Sequence, residues 1–237
     1  GALSADMMDY LLRDGYFTGA EHAKIDHNRI TNSFEVYKNK LALQNSALVN
    51  FETMMISRFQ MFKAVYFHKT VRAGEVMLLE AMSLADDYLG LSKMNVESYM
   101  IQTDDSILQQ LTSLPEDTSE LKAAKKIATD YQDRKLFKCV FEKTISGKKS
   151  FGRNKLKQFR EDIAKKSKLA ESQIFIDTST THSMPLAPSK KESSSIILIT
   201  KEGSKVIPKT IPISEIPLVS SMSGKMNILR AYTQQKN

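Results

Sequence analysis

The chain has 237 residues and a formal net charge of +7 at pH 7. This length accommodates one large or two modest domains, and the interspersed basic and acidic residues favour phosphate affinity or solubility over dedicated nucleic-acid binding. The single cysteine, Cys139, excludes an internal disulfide framework and a cysteine-rich zinc site, and it fits a reducing cytoplasm. No apolar run approaches the roughly 20 residues that span a membrane, so we expect no membrane segment.

The first predicted helix begins after Ser4, its candidate N-cap, and ends at Gly15. At about 100° per residue, Met8, Leu11 and Leu12 share one face. The opposite face holds three carboxylates, an arginine and a tyrosine, namely Asp6, Asp9, Tyr10, Arg13 and Asp14. This polar face is either a solvated stripe with internal ion pairs or one side of an acidic pocket that handles a metal or a phosphate.

The remainder of residues 1–132 predicts a mainly helical domain. A short extended pair is expected at residues 34–37 and 41–43, and a long helical pattern runs from residue 46 to 89. Gly74 marks either a break in this pattern or close packing. Further helices are expected within residues 95–114 and from residue 118 to 132.

The composition changes near residue 133, which predicts a second domain over residues 133–237. A strand candidate and a Lys-rich amphipathic helix come first, and three further strand candidates follow. These elements cover residues 135–143, 154–168, 172–177, 195–200 and 227–233, with a basic turn at 147–152 and a polar loop at 178–194. Their order predicts a small ferredoxin-like domain, so the fold class of the whole chain is α+β.

A second cluster of functional candidates lies in residues 57–72. If this stretch is one continuous helix, five side chains align, namely Arg58, Phe62, Val65, Lys69 and Arg72, with Tyr66 beside them. A row of cations on one side suits a polyphosphate or phosphodiester ligand. The alternative is a basic helix whose long side chains extend to solvent over an aromatic core.

The two clusters together resemble a known family. The pattern Asp6-x-x-Asp9-Tyr10-x-x-Arg13-Asp14, followed by Arg58-x7-Tyr66-x-His68-Lys69, is similar to that of the HD-domain phosphohydrolases, and within them to the deoxynucleoside triphosphate triphosphohydrolases. The phrases ADMMDYLLRDGYFTG and VYFHKTVRAGEVML carry the resemblance, and LFKCVFE and ILRAY add weaker support.

The resemblance implies a mainly helical HD-type domain portion followed by a C-terminal α+β domain. It implies a divalent metal ion (Mn, Mg, Fe, Ni or Zn), bound by a His, a His-Asp pair and a distant Asp. It also implies a nucleotide or related phosphoester as substrate and a homo-oligomer, a dimer or larger. A hard divalent ion of this kind lowers the pKa of its bound water and polarises a phosphoryl oxygen.

Site residues follow from the resemblance position by position. Asp6 matches the distant metal ligand and is the one catalytic candidate. Tyr10 and Asp14 match positions that contact the nucleotide sugar, Arg58 matches a phosphate-contacting arginine, and Tyr66 matches a tyrosine that packs on the sugar.

The next two residues, His68 and Lys69, match substrate-binding positions, with a phosphate role assigned to Lys69. Two positions depart from the family pattern. Met7 stands where the well-studied nucleotide enzyme has a phosphate-contacting lysine, and Phe67 replaces a polar residue near the base. Triphosphate specificity is therefore not implied for this chain.

The largest departure concerns the other metal ligands, which should lie upstream of Asp6. The sequence contains no His-Asp dipeptide. Three histidines in polar or loop segments, His22, His27 and His182, fit surface positions better than ligation, and one aspartate does not hold a catalytic metal. We therefore expect this chain to carry half of an active site, as the C-terminal portion of a metal-dependent phosphohydrolase.

Two alternatives remain. The chain is a catalytically inactive nucleotide- or nucleic-acid-binding regulatory module, in which case the lysines of the amphipathic helix (Lys155, Lys157, Lys165 and Lys166) would give salt-sensitive binding. Otherwise it is a scaffold that only oligomerises through its apolar helices.

Overall fold

The computed structural model describes residues 3–21, 24–145, 152–182, 195–221 and 225–234. Within them the helices are α1 (Ala5–Thr18), α2 (His27–Thr31), α3 (Leu48–Met61), α4 (Lys69–Leu89), α5 (Val96–Met100), α6 (Asp104–Thr112), α7 (Ser119–Gln132), α8 (Arg153–Ser167) and α9 (Pro217–Ser221). The strands are β1 (Phe34–Tyr37), β2 (Lys40–Gln44), β3 (Lys138–Ile145), β4 (Ile174–His182), β5 (Ser195–Glu202), β6 (Lys205–Pro212) and β7 (Lys225–Thr233). The α+β class is confirmed.

The chain forms two compact units. Unit 1 comprises Gly1–His68, Ile145–Lys149 and Ser179–Asn227, and unit 2 comprises Lys69–Thr144, Ser150–Thr178 and Ile228–Asn237. These units differ from the two domains, residues 1–132 and 133–237, that the composition predicts. That domain boundary stays a prediction.

Unit 1 is built around a four-stranded sheet with strand order β1-β2-β5-β6. The extended segments expected at residues 34–37 and 41–43 form β1 and β2, which pair antiparallel. The residues that join them, Lys38 and Asn39, both have positive φ (48° and 60°), as in a tight hairpin turn. The strands β5 and β6 form a second hairpin. The two hairpins meet through parallel pairing of β2 with β5, in which Leu43 opposes Leu198.

This parallel pairing corrects one expectation. The strands that follow residue 133 do not form a single ferredoxin-like sheet, because β5 and β6 join β2 instead. The remaining strands form a separate three-stranded sheet with the order β3-β7-β4. The driving force in unit 1 is burial of one continuous core, to which α1, β2, α3 and β5 contribute Leu11, Leu43, Phe51 and Leu198.

Unit 2 has a core of its own between α4, α6, α7 and the second sheet. The rings of Phe137 and Phe175 stack with centroids 4.3 Å apart. Gly74 lies inside α4, and a Cβ built on it would come within 3.1 Å of Tyr131 Cε2. Gly74 therefore marks close packing of α4 on α7 and not a break in the helix.

The ends of α1 follow local chemistry. The Ser4 side chain accepts a hydrogen bond from the Met7 N–H at 3.2 Å, so the predicted N-cap is confirmed. The expected end at Gly15 is wrong, because α1 continues to Thr18 and the left-handed conformation falls on Gly19 (φ 67°). A mid-helix glycine costs only about 1 kcal/mol, and burial of Met8 and Leu11 offsets that cost.

The long helical pattern of residues 46–89 is interrupted. A π-helical turn, Phe62–Tyr66, follows α3, and α4 begins only at Lys69. The continuous helix that would align Arg58 with Lys69 and Arg72 does not form, so that alignment is wrong. Among the described residues, no helix combines the length and the apolar character that a membrane crossing requires.

Candidate phosphoester-binding site

The first site element is a contact between α1 and the π-helical turn, both in unit 1. The Tyr66 hydroxyl donates a hydrogen bond to Asp14 Oδ2 at 2.6 Å. The rings of Tyr10 and Tyr66 meet edge to face, with centroids 6.2 Å apart. The structure thus brings together Tyr10, Asp14 and Tyr66, the three residues to which the resemblance assigns a sugar.

The carboxylate of Asp14 has a second neighbour on its own helix. Arg13 Nε lies 3.4 Å from Asp14 Oδ1, while Arg13 Nη1 makes a closer contact of 2.7 Å with Asp9. Arg13 and Asp9 are exposed, so water and salt screen this pair strongly. Tyr66 is therefore the group that fixes the orientation of the Asp14 carboxylate.

Arg58, at the last turn of α3, adds a cation to the cluster. Its guanidinium carbon lies 4.3 Å from the centroid of the Phe62 ring. Arg58 Nε and Nη1 are buried and have no hydrogen-bond partner in the part of the chain that the structure describes. Buried charged donors without a partner are rare in folded proteins and point to a missing anionic or polar ligand.

The two tyrosines differ in what surrounds their hydroxyls. Burial raises the pKa of Tyr10, while the positive charge of the nearby Arg58 opposes that rise. Burial also raises the pKa of Tyr66, and the hydrogen bond to Asp14 raises it further because the carboxylate charge disfavours a second anion. Both hydroxyls therefore stay protonated near neutral pH and act as hydrogen-bonding groups.

His68 and Lys69 are exposed and stand where unit 1 ends and unit 2 begins. Within unit 2 the backbone carbonyl of Lys69 accepts a hydrogen bond from the Tyr232 hydroxyl at 3.0 Å. Arg72, expected beside Lys69 on one cationic face, instead binds the buried carboxylate of Asp177 through Nε and Nη2. The substrate-binding roles of His68 and Lys69 stay predictions.

The implied metal site does not form among the residues that the structure describes. Asp6 is exposed on the first turn of α1. Over the described ranges, no group of three or more His, Cys, Asp or Glu side chains could hold a metal ion. His27 and His68 are exposed, and His22 and the side chain of His182 lie outside the described residues. No chemical step through a metal is therefore derived for this chain.

The sequence does not predict the role of Phe62, which is a neighbour of the site. The sequence predicts that Phe62 aligns with the cationic row of a continuous helix, whereas in the structure its ring contacts the Arg58 guanidinium. Its spacing of four residues from Arg58 is the signal that could have indicated this contact, because residues four apart share a helix face.

The chain is similar to several known proteins. Residues 25–207 match the family described as HD associated region. The chain is 28% identical over 177 residues to a deoxynucleoside triphosphate triphosphohydrolase SAMHD1 homolog of Dictyostelium discoideum, which covers 74% of this chain and 34% of that protein. It is 37% identical over 86 residues to an uncharacterized protein of Methanocaldococcus jannaschii, covering 35% of this chain and 19% of that protein.

Among solved structures, the chain resembles a phosphohydrolase from Bacteroides thetaiotaomicron with a TM-score of 0.64 and 21% identity, covering 99% of this chain and 62% of that chain. This likeness concerns the fold. The chain spans about a fifth to a third of the length of the curated relatives named above. Because the family match extends over most of the sequence, the chain belongs to the HD associated region family of the HD-domain phosphohydrolase superfamily and resembles its deoxynucleoside triphosphate triphosphohydrolases.

Proposed function

We propose that this chain forms the sugar- and phosphate-binding part of an HD-type metal-dependent phosphohydrolase that acts on a (deoxy)nucleotide or a related phosphoester. The observation that supports the proposal is the cluster of Tyr10, Asp14 and Tyr66 beside Arg58, whose buried nitrogens have no partner among the described residues. An acceptor for a sugar hydroxyl and a donor for a phosphate thus belong to one set of contacting side chains.

Each side chain has a chemical role in this proposal. The carboxylate of Asp14 accepts a hydrogen bond from a sugar hydroxyl, and Tyr66 fixes that carboxylate and packs its ring on the sugar. Arg58 donates to a phosphate oxygen, which satisfies its unpaired nitrogens. Met7 is 5% exposed within the core of unit 1 and contributes nothing to phosphate binding. This leaves the number of phosphates on the substrate open to experiment.

The metal-dependent part of the proposal rests on family membership. Asp6 is proposed as one metal ligand. Homo-oligomerisation and a cytoplasmic location also stay proposals. The test for Asp6 is Asp6→Ala in the product of the full open reading frame, assayed with Mn²⁺ or Mg²⁺. Unchanged phosphate release would remove Asp6 from the site.

The substrate proposal is tested with the same protein against a panel of nucleoside triphosphates and monophosphates. Asp14→Asn keeps the size of the side chain but weakens its capacity as an acceptor. We expect a loss of about 10- to 100-fold in kcat/KM for sugar-containing substrates, the range for losing a hydrogen bond to a charged group. Asp9→Asn is the matched control, because Asp9 is an exposed carboxylate on the same helix. Equal activities of the two variants would contradict the proposal.

The alternative is a regulatory module without catalysis that binds nucleotides or nucleic acid. It is favoured by one observation, namely that Lys155, Lys157, Lys165 and Lys166 on α8 are all exposed. Binding through these lysines would weaken steeply with salt. Replacing the four lysines by glutamine distinguishes the two functions, because it abolishes salt-sensitive binding in the alternative and leaves phosphate release intact in the main proposal.

A further inference from the structure

The aromatic ring of Phe62 has two neighbours in unit 1. The Arg58 guanidinium carbon lies 4.3 Å from the Phe62 centroid, which places the cation over the ring. The Tyr66 ring lies 4.9 Å from the same centroid at an interplanar angle of 62°. Phe62 therefore contacts both the cation and the tyrosine that fixes Asp14.

The backbone around Phe62 supports these contacts. Phe62 opens the π-helical turn, and its carbonyl accepts a hydrogen bond from the Phe67 N–H at 2.8 Å, five residues later. The Phe67 ring also meets Phe62 edge to face, with centroids 5.7 Å apart. A π turn inside helical sequence is uncommon and recurs at functional sites. Here the turn places the rings of Tyr66 and Phe67 against the Phe62 ring.

Two nitrogens of Arg58 keep N–H donors that have no hydrogen-bond partner among the described residues. The Arg58 guanidinium carbon lies over the Phe62 ring, and Tyr10 is a further neighbour of the guanidinium. Nε and Nη1 have no partner in the described part of the chain. These two nitrogens carry three of the five N–H donors of arginine, and all of them point within the guanidinium plane. Because both nitrogens are buried, a ligand that pairs with them must take the place of whatever covers them.

We propose that Phe62 is a positioning residue, which holds the plane of the Arg58 guanidinium by a cation–π contact so that its in-plane donors meet a phosphate group. This inference rests on the proposed function. Without the ring, arginine has rotamer freedom that must be lost when the anion binds. With the ring in place, part of the rotamer freedom of Arg58 is already lost when the chain folds. Less is then lost on binding, so the anion binds more tightly.

The test measures binding of inorganic triphosphate and of dATP to the 237-residue chain by calorimetry. Phe62→Leu removes the ring and is expected to weaken binding roughly 3- to 20-fold, the range for one lost cation–π contact. Phe62→Tyr keeps an aromatic ring, so its affinity for both ligands is expected to stay close to that of the unsubstituted chain. Phe59→Leu is the matched control, because Phe59 follows Arg58 directly on α3 and the described residues show no ring contact between the two.

A double-mutant cycle separates positioning from a general packing effect. In an Arg58→Ala background, Phe62→Leu has no cation left to position and is expected to change affinity less than 2-fold. Urea denaturation of each variant reports stability separately, and Phe62→Met serves if the leucine variant does not fold. An additive effect of the two substitutions would overturn the inference.

The outcomes distinguish the inference from the function on which it rests. If the unsubstituted chain binds neither ligand and the full gene product releases no phosphate, the proposed function and the inference both fail. If the chain binds and Arg58→Ala weakens binding, but Phe62→Leu does not, only the role of Phe62 is overturned. The Arg58 Nε–H resonance gives a ligand-free measurement, because loss of the ring current in Phe62→Leu shifts this signal if the contact exists in solution.

Discussion

The Tyr66 hydroxyl donates a 2.6 Å hydrogen bond to Asp14, although 52 positions separate the two residues in the sequence. The bond joins α1 to the π-helical turn and fixes a carboxylate whose other neighbour, Arg13, is exposed. Removal of a single oxygen atom from Tyr66 therefore tests both the stability of unit 1 and the geometry of the candidate site.

Tyr66→Phe is expected to lower the free energy of unfolding by about 1 kcal/mol, because the hydrogen bond is lost while the ring contacts with Tyr10 and Phe62 remain. Urea denaturation measures the change. Tyr16→Phe is the control, since Tyr16 is 82% exposed. Equal effects of the two substitutions would show that the Tyr66–Asp14 bond adds no stability.

Alkaline pH is expected to destabilise the chain through Tyr66 and Tyr232. Burial raises the pKa of both hydroxyls in the folded state above the value of about 10 found in unfolded chains. The unfolded state therefore loses these protons first, so the stabilisation is complete below about pH 10 and is lost as the pH rises further.

The measurement is the unfolding free energy between about pH 9 and 11, where the unfolded tyrosines begin to titrate. The double variant Tyr66→Phe and Tyr232→Phe carries neither group, so its unfolding free energy should fall less steeply with pH. A slope equal to that of the unsubstituted chain would contradict the assignment to these two tyrosines.

Asp177→Asn is expected to destabilise unit 2 by about 1–3 kcal/mol, the range for losing a hydrogen-bonded charged partner, because Arg72 then keeps only its ion pair with the exposed Glu75. Asp177 is 5% exposed and binds Arg72 Nε and Nη2 at 3.1 and 2.5 Å. Asp130→Asn breaks a surface pair with Lys126 and should cost less than about 0.5 kcal/mol. Urea denaturation measures both changes in unfolding free energy. Equal losses for the two variants would show that the buried Asp177 pair stabilises the chain no more than a surface pair does.

Gly74→Leu is expected to lower the unfolding free energy by about 1–3 kcal/mol, because even a Cβ at this position lies 3.1 Å from Tyr131 Cε2. Tyr131→Ala opens the space that the leucine needs. The double variant should therefore be more stable than the sum of the single effects predicts. Strict additivity in thermal unfolding would mean that Tyr131 does not limit the residue at position 74.

Local signals in the sequence predict the local structure well. The Ser4 cap, the β1–β2 pair and the helices α7 and α8 depend on neighbours within a few residues, and these expectations are confirmed. The predicted end of α1 at Gly15 is wrong because either of two glycines, Gly15 and Gly19, could end the helix. Only the backbone conformation shows that Gly19 has the positive φ.

Long-range features could not be predicted in this way. The parallel pairing of β2 with β5 depends on contacts between distant segments, and neither strand pattern specifies its partner. For the site, periodicity predicts a helix from Arg58 to Arg72 that does not form. Periodicity does place Tyr10 and Asp14 on one helix face, but only the family resemblance adds Tyr66 to them. The contact of Phe62 with Arg58 required the coordinates.

The pairing of Leu43 with Leu198 has a consequence for biosynthesis. During translation, β2 leaves the ribosome long before β5 is made, so one edge of the β1–β2 hairpin stays exposed in the nascent chain. Such non-local pairing slows folding, and unpaired edges promote aggregation. A fragment that stops at residue 132 would lack β5 altogether, so we expect it to require chaperones or to precipitate, although the sequence up to that point reads as a complete helical domain.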